Sequence, residues 1–272
     1  MSSLLLVDEP PAFECVNESG ASPFVLLCDH ASRRMPRALG TLGLSDDHLA
    51  SHIAWDIGAA DVARALSKKL DAPLVLSGYS RLAIDCNRPL SVPGSIPEVT
   101  CEIPVPGNAA LDDSARTARQ ESLFWPYHRA LEGLFTARDV RERGSVVISV
   151  HSFTPASLFG KPRPWHVGVM YGRDRRFAAA LFEVLADEPS VLVGDNEPYR
   201  VTDGSDYGIP FYAERPNRLG VLIEMRQDEV GTPSGVEKMV ALLFRALPRA
   251  LSSLPREGRV VEAPSIVEGD KS

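Results

Sequence analysis

The chain has little of what marks a redox, membrane or nucleic-acid-binding protein. Its four cysteines, Cys15, Cys28, Cys86 and Cys101, show no CxxC spacing, which argues against a zinc knuckle and a dithiol redox motif. Free thiols are expected, with Cys28 and Cys86 packing as small apolar residues within strands. Positive charge is short. With 29 Lys and Arg against 36 Asp and Glu, the net charge is -7, so no extended phosphate-binding surface and no nucleic-acid partner are expected. No apolar run approaches the roughly 20 residues of a membrane span. The segment from Met1 to Asp8 lacks a basic n-region, and its apolar run is too short for a signal peptide. A cytoplasmic location away from membranes is the expectation. Solenoid repeats are also missing.

What is present is ordinary in bulk: 272 residues, 44% hydrophobic and 24% charged. Length alone allows one α/β domain with insertions or two small domains. Strands alternate with helices, which favours a single α/β domain over 1–255, followed by a polar tail over 256–272. Strands are expected at Phe24 to Cys28, Pro73 to Ser77, Gly144 to Ser152, His166 to Tyr171 and Gly220 to Arg226. Helices are expected from Ser45, from Gly58 to Leu70, from Ser114 to Arg143 with a break near Pro126, from Arg175 to Leu185, and from Ser234 to Leu247. Leu74 to Ser77 and Leu82 to Asp85 lie too close together for a helical crossover, which points to a mixed sheet. The Pro- and Gly-rich stretch Ser91 to Asp113 reads as a lid or binding loop, or else as disordered, and Phe153 to Pro164 as a second Pro-rich loop; both would shape a pocket.

Three apolar runs end in polar, chemically able residues. Val146-Val147-Ile148-Ser149-Val150 runs into His151, Phe24-Val25-Leu26-Leu27-Cys28 runs through Asp29 into His30, and Gly220-Val221-Leu222-Ile223 runs into Glu224. Runs without polar alternation are how strands covered on both faces read. Their carboxyl ends form the edge of an open α/β sheet where ligands bind. His30 and His151 are therefore a candidate metal pair, completed by an acidic residue from among Asp29, Asp56 and Asp85. Strand-end histidines bonded to backbone are the simpler alternative, as is a plain helix cap for Asp56. Glu224, in an apolar strand, must be ion paired, with Arg226 available on the same strand face, or poised for proton transfer.

Arg81 and Arg88 lie close together with Asn87, a set that suits an anionic substrate; a structural Asp85 to Arg88 pair would use the same residues. Less is expected of the other histidines. His48 and His52 lack the Glu of a HExxH helix, His128 reads as packed, and His166 reads as strand surface. The Asp203 to Asp206 loop has too few ligands for calcium, and Ser152 lacks a nucleophile elbow.

Six segments in this order resemble the N-formylglutamate amidohydrolase family, from about Pro23 to Val230. They are Cys28-Asp29-His30-Ala31-Ser32, Ala54-Trp55-Asp56-Ile57-Gly58-Ala59, Ser80-Arg81-Leu82-Ala83-Ile84-Asp85-Cys86-Asn87-Arg88-Pro89, Val150-His151-Ser152-Phe153-Thr154-Pro155, Asn196-Glu197-Pro198-Tyr199 and Ile223-Glu224-Met225-Arg226-Gln227-Asp228. The resemblance implies a three-layer α/β/α fold with a central mixed sheet, like the zinc exopeptidases and related phosphorylase/hydrolase-like proteins. It implies one Zn2+ per chain, or another divalent metal, held by His30 and His151. The wider zinc carboxypeptidase and aminoacylase group carries its acidic ligand three residues after the first His, where this chain has Arg33. Asp56 is the expected substitute.

By the same resemblance Asn87 and Arg88 would clamp the substrate carboxylate, and Glu224 would be the general base. In the reading of the site that results, Arg81 and the metal would stabilise the oxyanion, Arg226 would serve the second carboxylate, and Asn196 and Tyr199 are further candidate substrate contacts. The implied activity is hydrolysis of a small anionic N-acyl amino acid, with N-formyl-L-glutamate giving formate and L-glutamate. A hydrolase of another N-acyl amino acid, or a carboxylate-binding protein without catalysis, are the alternatives.

Overall fold

The computed structural model describes residues 4–255; the expected polar tail lies outside them. In chain order the elements are strands β1 (Phe13–Val16) and β2 (Phe24–Cys28), helices α1 (Asp46–Ala50) and α2 (Ala59–Leu70), then β3 (Leu74–Ser77). A small hairpin, β4 (Val99–Thr100) and β5 (Ile103–Pro104), interrupts the 91–113 stretch. Helix α3 (Asp113–Arg119) passes through a π-helical segment, Gln120–Phe124, into α4 (Trp125–Val140). The second half is β6 (Val146–Phe153), β7 (Val167–Met170), α5 (Arg176–Leu185), β8 (Val193–Asp195), β9 (Gly220–Arg226), α6 (Gln227–Val230) and α7 (Pro233–Ser253).

Seven strands form one sheet in the order β1-β3-β2-β6-β9-β7-β8. Strands β3, β2, β6 and β9 are mutually parallel. The sheet is mixed, as expected, but for a different reason. Leu82 to Asp85 is not a strand; the reversals come from β1 running against β3 and β7 running against β9.

Helices cover both faces, giving three layers. On one face Val62, Ala63 and Leu66 of α2, Phe177 and Leu181 of α5, and Leu243 and Leu247 of α7 pack onto Leu26, Ile148, Val150 and Ile223. On the other, Tyr127, Leu131 and Phe135 of α4 pack onto Val25, Leu27, Val147 and Leu222. This explains the unbroken apolar runs, because β2 and β6 are buried along their whole length.

Local chemistry agrees with most expected boundaries. Ser45 caps α1 by accepting from the His48 amide, and Thr232 caps α7 through the Gly235 amide. The interruption expected near Pro126 is the π-helical turn just ahead of it, where that proline enters the first turn of α4 and needs no amide partner. Cys28 lies in β2, whereas Cys86 is buried in a loop rather than a strand. All four cysteines are free. No helix among the described residues is long and apolar enough to cross a membrane.

Candidate active site

The expected strand ends do converge. In the β6–β9 ladder His151 is the direct register partner of Glu224. Side chains alternate along a strand, so both stand on the α4 face, with Ser149 and Leu222 beneath them. Asp29 and His30 follow β2 at the same edge. The rings of His30 and His151 lie 4.9 Å apart, nearly edge to face.

Asp56 joins them from the segment ahead of α2. That helix is capped by Gly58, so the carboxylate of Asp56 is free of the capping task the sequence also allowed. Gly58 is required here: its φ is +80°, and a Cβ would lie 2.4 Å from the Val230 carbonyl oxygen. The Asp56 amide donates to the His30 carbonyl (2.9 Å), and the Ser152 amide donates to Asp56 Oδ2 (3.2 Å). His151 Nδ1 lies 2.9 Å and His30 Nδ1 3.4 Å from that same Oδ2. One ligand atom from each of His30, Asp56 and His151 lies within 4.8 Å of the others, all three residues being buried.

The remaining acids stand behind the imidazoles. His30 Nε2 donates to Asp85 Oδ1 at 2.8 Å. His151 Nε2 lies 2.9 Å from Ser149 Oγ and 3.3 Å from Asp29 Oδ2, and Asp29 in turn accepts from Tyr127 Oη at 2.7 Å. With their outer nitrogens engaged, both rings present Nδ1 to Asp56, the way second-layer carboxylates orient metal-binding histidines. Of the three acids considered from sequence, only Asp56 thus sits between the rings.

The residues fit a divalent cation. Asp56 Oδ1 and Glu224 Oε2 are buried without a hydrogen-bond partner. Arg81 Nη2 stands 3.0 Å from Asp56 Oδ1 as an ion pair, but off the line of a hydrogen bond. Burial alone would raise the Asp56 carboxyl, yet Arg81 and the two imidazoles hold it well below the usual range. Burial opposes protonation of His30 and His151, but Asp85 and Asp56 draw the first upward, and Asp29 and Asp56 the second. The floor of the site therefore carries the negative potential that a cation answers. Burial pushes Glu224 up to about 7, a value suited to taking and returning a proton.

These groups line a cavity of about 870 Å³ that also admits Arg88, Arg163 and Tyr199. Arg81 donates to His30 Nδ1 (3.1 Å) and to the carbonyls of Ile53 and His52. Arg88 lies 4.0 Å from Asp85 and 3.8 Å from Asp206, too far for hydrogen bonds, so its guanidinium faces the cavity.

Three expected substrate contacts have other tasks. Asn87 lines the cavity, but it also donates to Asp206 Oδ1 (3.1 Å) and accepts from the amides of Tyr207 and Gly208, which anchors the loop that carries Arg88. Asn196 accepts from the Tyr171 amide (3.0 Å) and does not line the cavity. Arg226 pairs with Asp228 (2.7 Å) and Glu229 (2.9 Å), not with Glu224, and lies outside the cavity, because β9 ends at Arg226 and α6 brings acids to it. Sequence reading missed Asp206, Tyr127 and Arg163. Asp206 sits in the loop discounted as a calcium site, and Tyr127 on an expected apolar helix face; nothing near them in sequence signals their partners.

His48 is at the last turn of α1, and His128 is fully buried between Tyr212 Oη (2.8 Å) and the Cys86 carbonyl (3.0 Å). His52 is half-buried at the cavity rim rather than on a solvated helix face, its Nε2 3.6 Å from Cys101 Sγ.

Fold and site together define an α/β protein with a mixed seven-stranded sheet and a buried His-Asp-His cluster at its edge. The sequence pattern of N-formylglutamate amidohydrolase matches residues 22–230, and the chain belongs to that family, hydrolases of amide bonds. The chain is 36% identical to a gene product of Agrobacterium tumefaciens whose crystal structure is similar, with a TM-score of 0.89, covering 92% of this chain and 98% of that one. It shares its fold with the N-formylglutamate amidohydrolase of Ralstonia eutropha JMP134, at 17% identity and a TM-score of 0.71, over 89% of this chain and 98% of that one. No curated protein matches it.

Proposed function

We propose that this chain is a zinc-dependent amidohydrolase that cleaves N-formyl-L-glutamate to formate and L-glutamate. The observation that carries the reading is the buried trio His30, Asp56 and His151, whose ligand atoms lie within 4.8 Å of one another, with Glu224 as the neighbour of His151 across the ladder. His30 Nδ1, His151 Nδ1 and Asp56 would hold the metal, and Asp56 stands in for the acidic ligand that Arg33 displaces. When bound there, zinc polarises the amide carbonyl and lowers the pKa of water towards neutrality.

The chain's own residues do the rest. Glu224 Oε2, buried and unpartnered, accepts the proton of the attacking water and delivers it to the departing nitrogen. Arg81, already braced by two backbone carbonyls, donates to the oxygen that gains charge in the tetrahedral intermediate. Arg88 holds the α-carboxylate, its position set by Asn87 and Asp206. Tyr199 lines the same cavity.

The test is metal analysis of the purified chain together with formate release from N-formyl-L-glutamate. About one zinc per chain, activity lost to a chelator and restored by zinc, is the expected result. A metal-loaded chain that releases no formate from any N-formyl amino acid overturns the reading.

A further inference from the structure

We propose that Arg163 seats the side-chain carboxylate of the substrate and thereby selects an acidic amino acid, an inference that rests on the amidohydrolase reading above. Arg163 lies outside every segment that carries the family likeness, in the loop after β6. Its guanidinium stands 5.0 Å from the centre of the Tyr199 ring and 5.9 Å from that of Phe153. Nη1 donates to Thr154 Oγ1 at 2.8 Å and to the Thr154 carbonyl at 3.3 Å. From outside the cavity, Arg226 Nη1 donates to the carbonyls of Arg163 (3.3 Å), Pro164 (3.0 Å) and Trp165 (3.4 Å), fixing the backbone that presents it. The arginine expected to touch the substrate instead holds the one that does.

Charge singles out the same residue. Among the cavity arginines, Arg81 faces Asp56 and Arg88 has Asp85 and Asp206 nearby. Arg163 and Arg200 have no carboxylate partner among the described residues, and of these only Arg163 is half-buried and immobilised. A guanidinium already held near two aromatic rings and bonded to Thr154 loses little freedom when a carboxylate docks on its free edge.

Its placement suits the second carboxylate. Phe153 lies two residues beyond His151 on β6, hence on the same face, so Arg163 overhangs the metal-binding side of the sheet. Tyr199, under the guanidinium, feels the charge of Glu224, and His52 feels that of Arg163. Arg88 reaches the centre by a different wall, through Asp85, whose carboxylate bonds His30. An amino acid with two carboxylates thus meets two separate guanidiniums, with its amide between them.

The experiment compares kcat/KM for N-formyl-L-glutamate and its uncharged isostere N-formyl-L-glutamine, using the zinc-loaded full chain. Calorimetric binding of L-glutamate and L-glutamine supplies a readout independent of turnover. The parent should prefer the acid in both measurements. Arg163→Met should shrink that preference by about 10- to 100-fold, chiefly through KM, the usual range for a lost charged hydrogen bond. Arg163→Lys should restore part of it, and Arg200→Met should keep the parental ratio. Should the Met variant unfold, Arg163→Gln, which can still bond Thr154, takes its place. Retention of the parental ratio by the Arg163 variants, or its collapse in Arg200→Met alone, overturns the proposal. If the parent hydrolyses both compounds without preference, Arg163 loses this role while the amidohydrolase reading stands; if it hydrolyses neither, both fall.

Discussion

Replacing Glu224 by Gln separates base chemistry from metal binding. The two side chains are nearly isosteric, and Glu224 is no part of the trio that would hold the metal, so zinc content should stay near one per chain. The lost function is proton transfer. Glu224 is buried, raised to about 7 mainly by that burial, and keeps Oε2 unpartnered, so no neighbouring carboxylate can substitute without moving. Asp29 and Asp85 are held behind their histidines, and Asp56 is held between them. The full range for lost acid-base catalysis then applies, about 10²–10⁴-fold in kcat, or about 3–5 kcal/mol in the barrier. KM should change little, because Arg88 and the pocket walls are untouched. The assay is formate release under saturating substrate, with zinc content and thermal midpoint measured on the same preparation. A kcat within tenfold of the parent, with zinc retained, would refute the assignment of Glu224 as base.

Three further outcomes follow from the surroundings of the site. Asp85→Asn weakens the charge behind His30 Nε2 (2.8 Å) and should lower zinc affinity about 10–100-fold in chelator competition; unchanged affinity would detach Asp85 from the metal layer. Tyr127→Phe leaves the buried Asp29 Oδ1 without its donor and should cost about 1–3 kcal/mol in urea unfolding, with no loss if water replaces the hydroxyl. His128 is held by burial at about 4, below its ordinary 6.5, so it stays neutral when folded and takes a proton on unfolding. Its contribution, about 3 kcal/mol, is complete above pH 6.5 and disappears as pH falls towards 4. His128→Gln should flatten the dependence of the urea midpoint across that window; an unchanged slope would assign the acid sensitivity elsewhere.

The strand ends that carry His30, His151 and Glu224 could be read from residue order, because β2, β6 and β9 are buried on both faces and show it as continuous apolar runs ending in polar groups. Residue order alone leaves Asp29, Asp56 and Asp85 open as the acidic ligand, since the partner His151 lies 95 residues from Asp56 and only folding decides which acid enters the gap. Strands β1 and β8 were not legible: they are edge strands of four and three residues, half-exposed, and too short to display a period. Asn87, Asn196 and Arg226 carry the right chemistry for substrate, but their hydrogen bonds are made with backbone and with acids brought near by loops, such as Asp206, 119 residues from Asn87. Arg163 is invisible in the sequence for the complementary reason, as its surroundings are aromatic rings contributed by the end of β6 and by the loop after β8.

Pairing of β6 with β9 is continuous from Val147↔Gly220 to Phe153↔Arg226. Slippage of one strand by a single residue would turn Glu224 towards the opposite helical layer. Spacing between the carboxylate and His151 is therefore set by main-chain geometry at the centre of the protein, while the walls that meet the substrate are loops. Such a division lets a lineage rewrite which acyl amino acid enters by altering loop residues alone, without disturbing the distance over which the proton must travel.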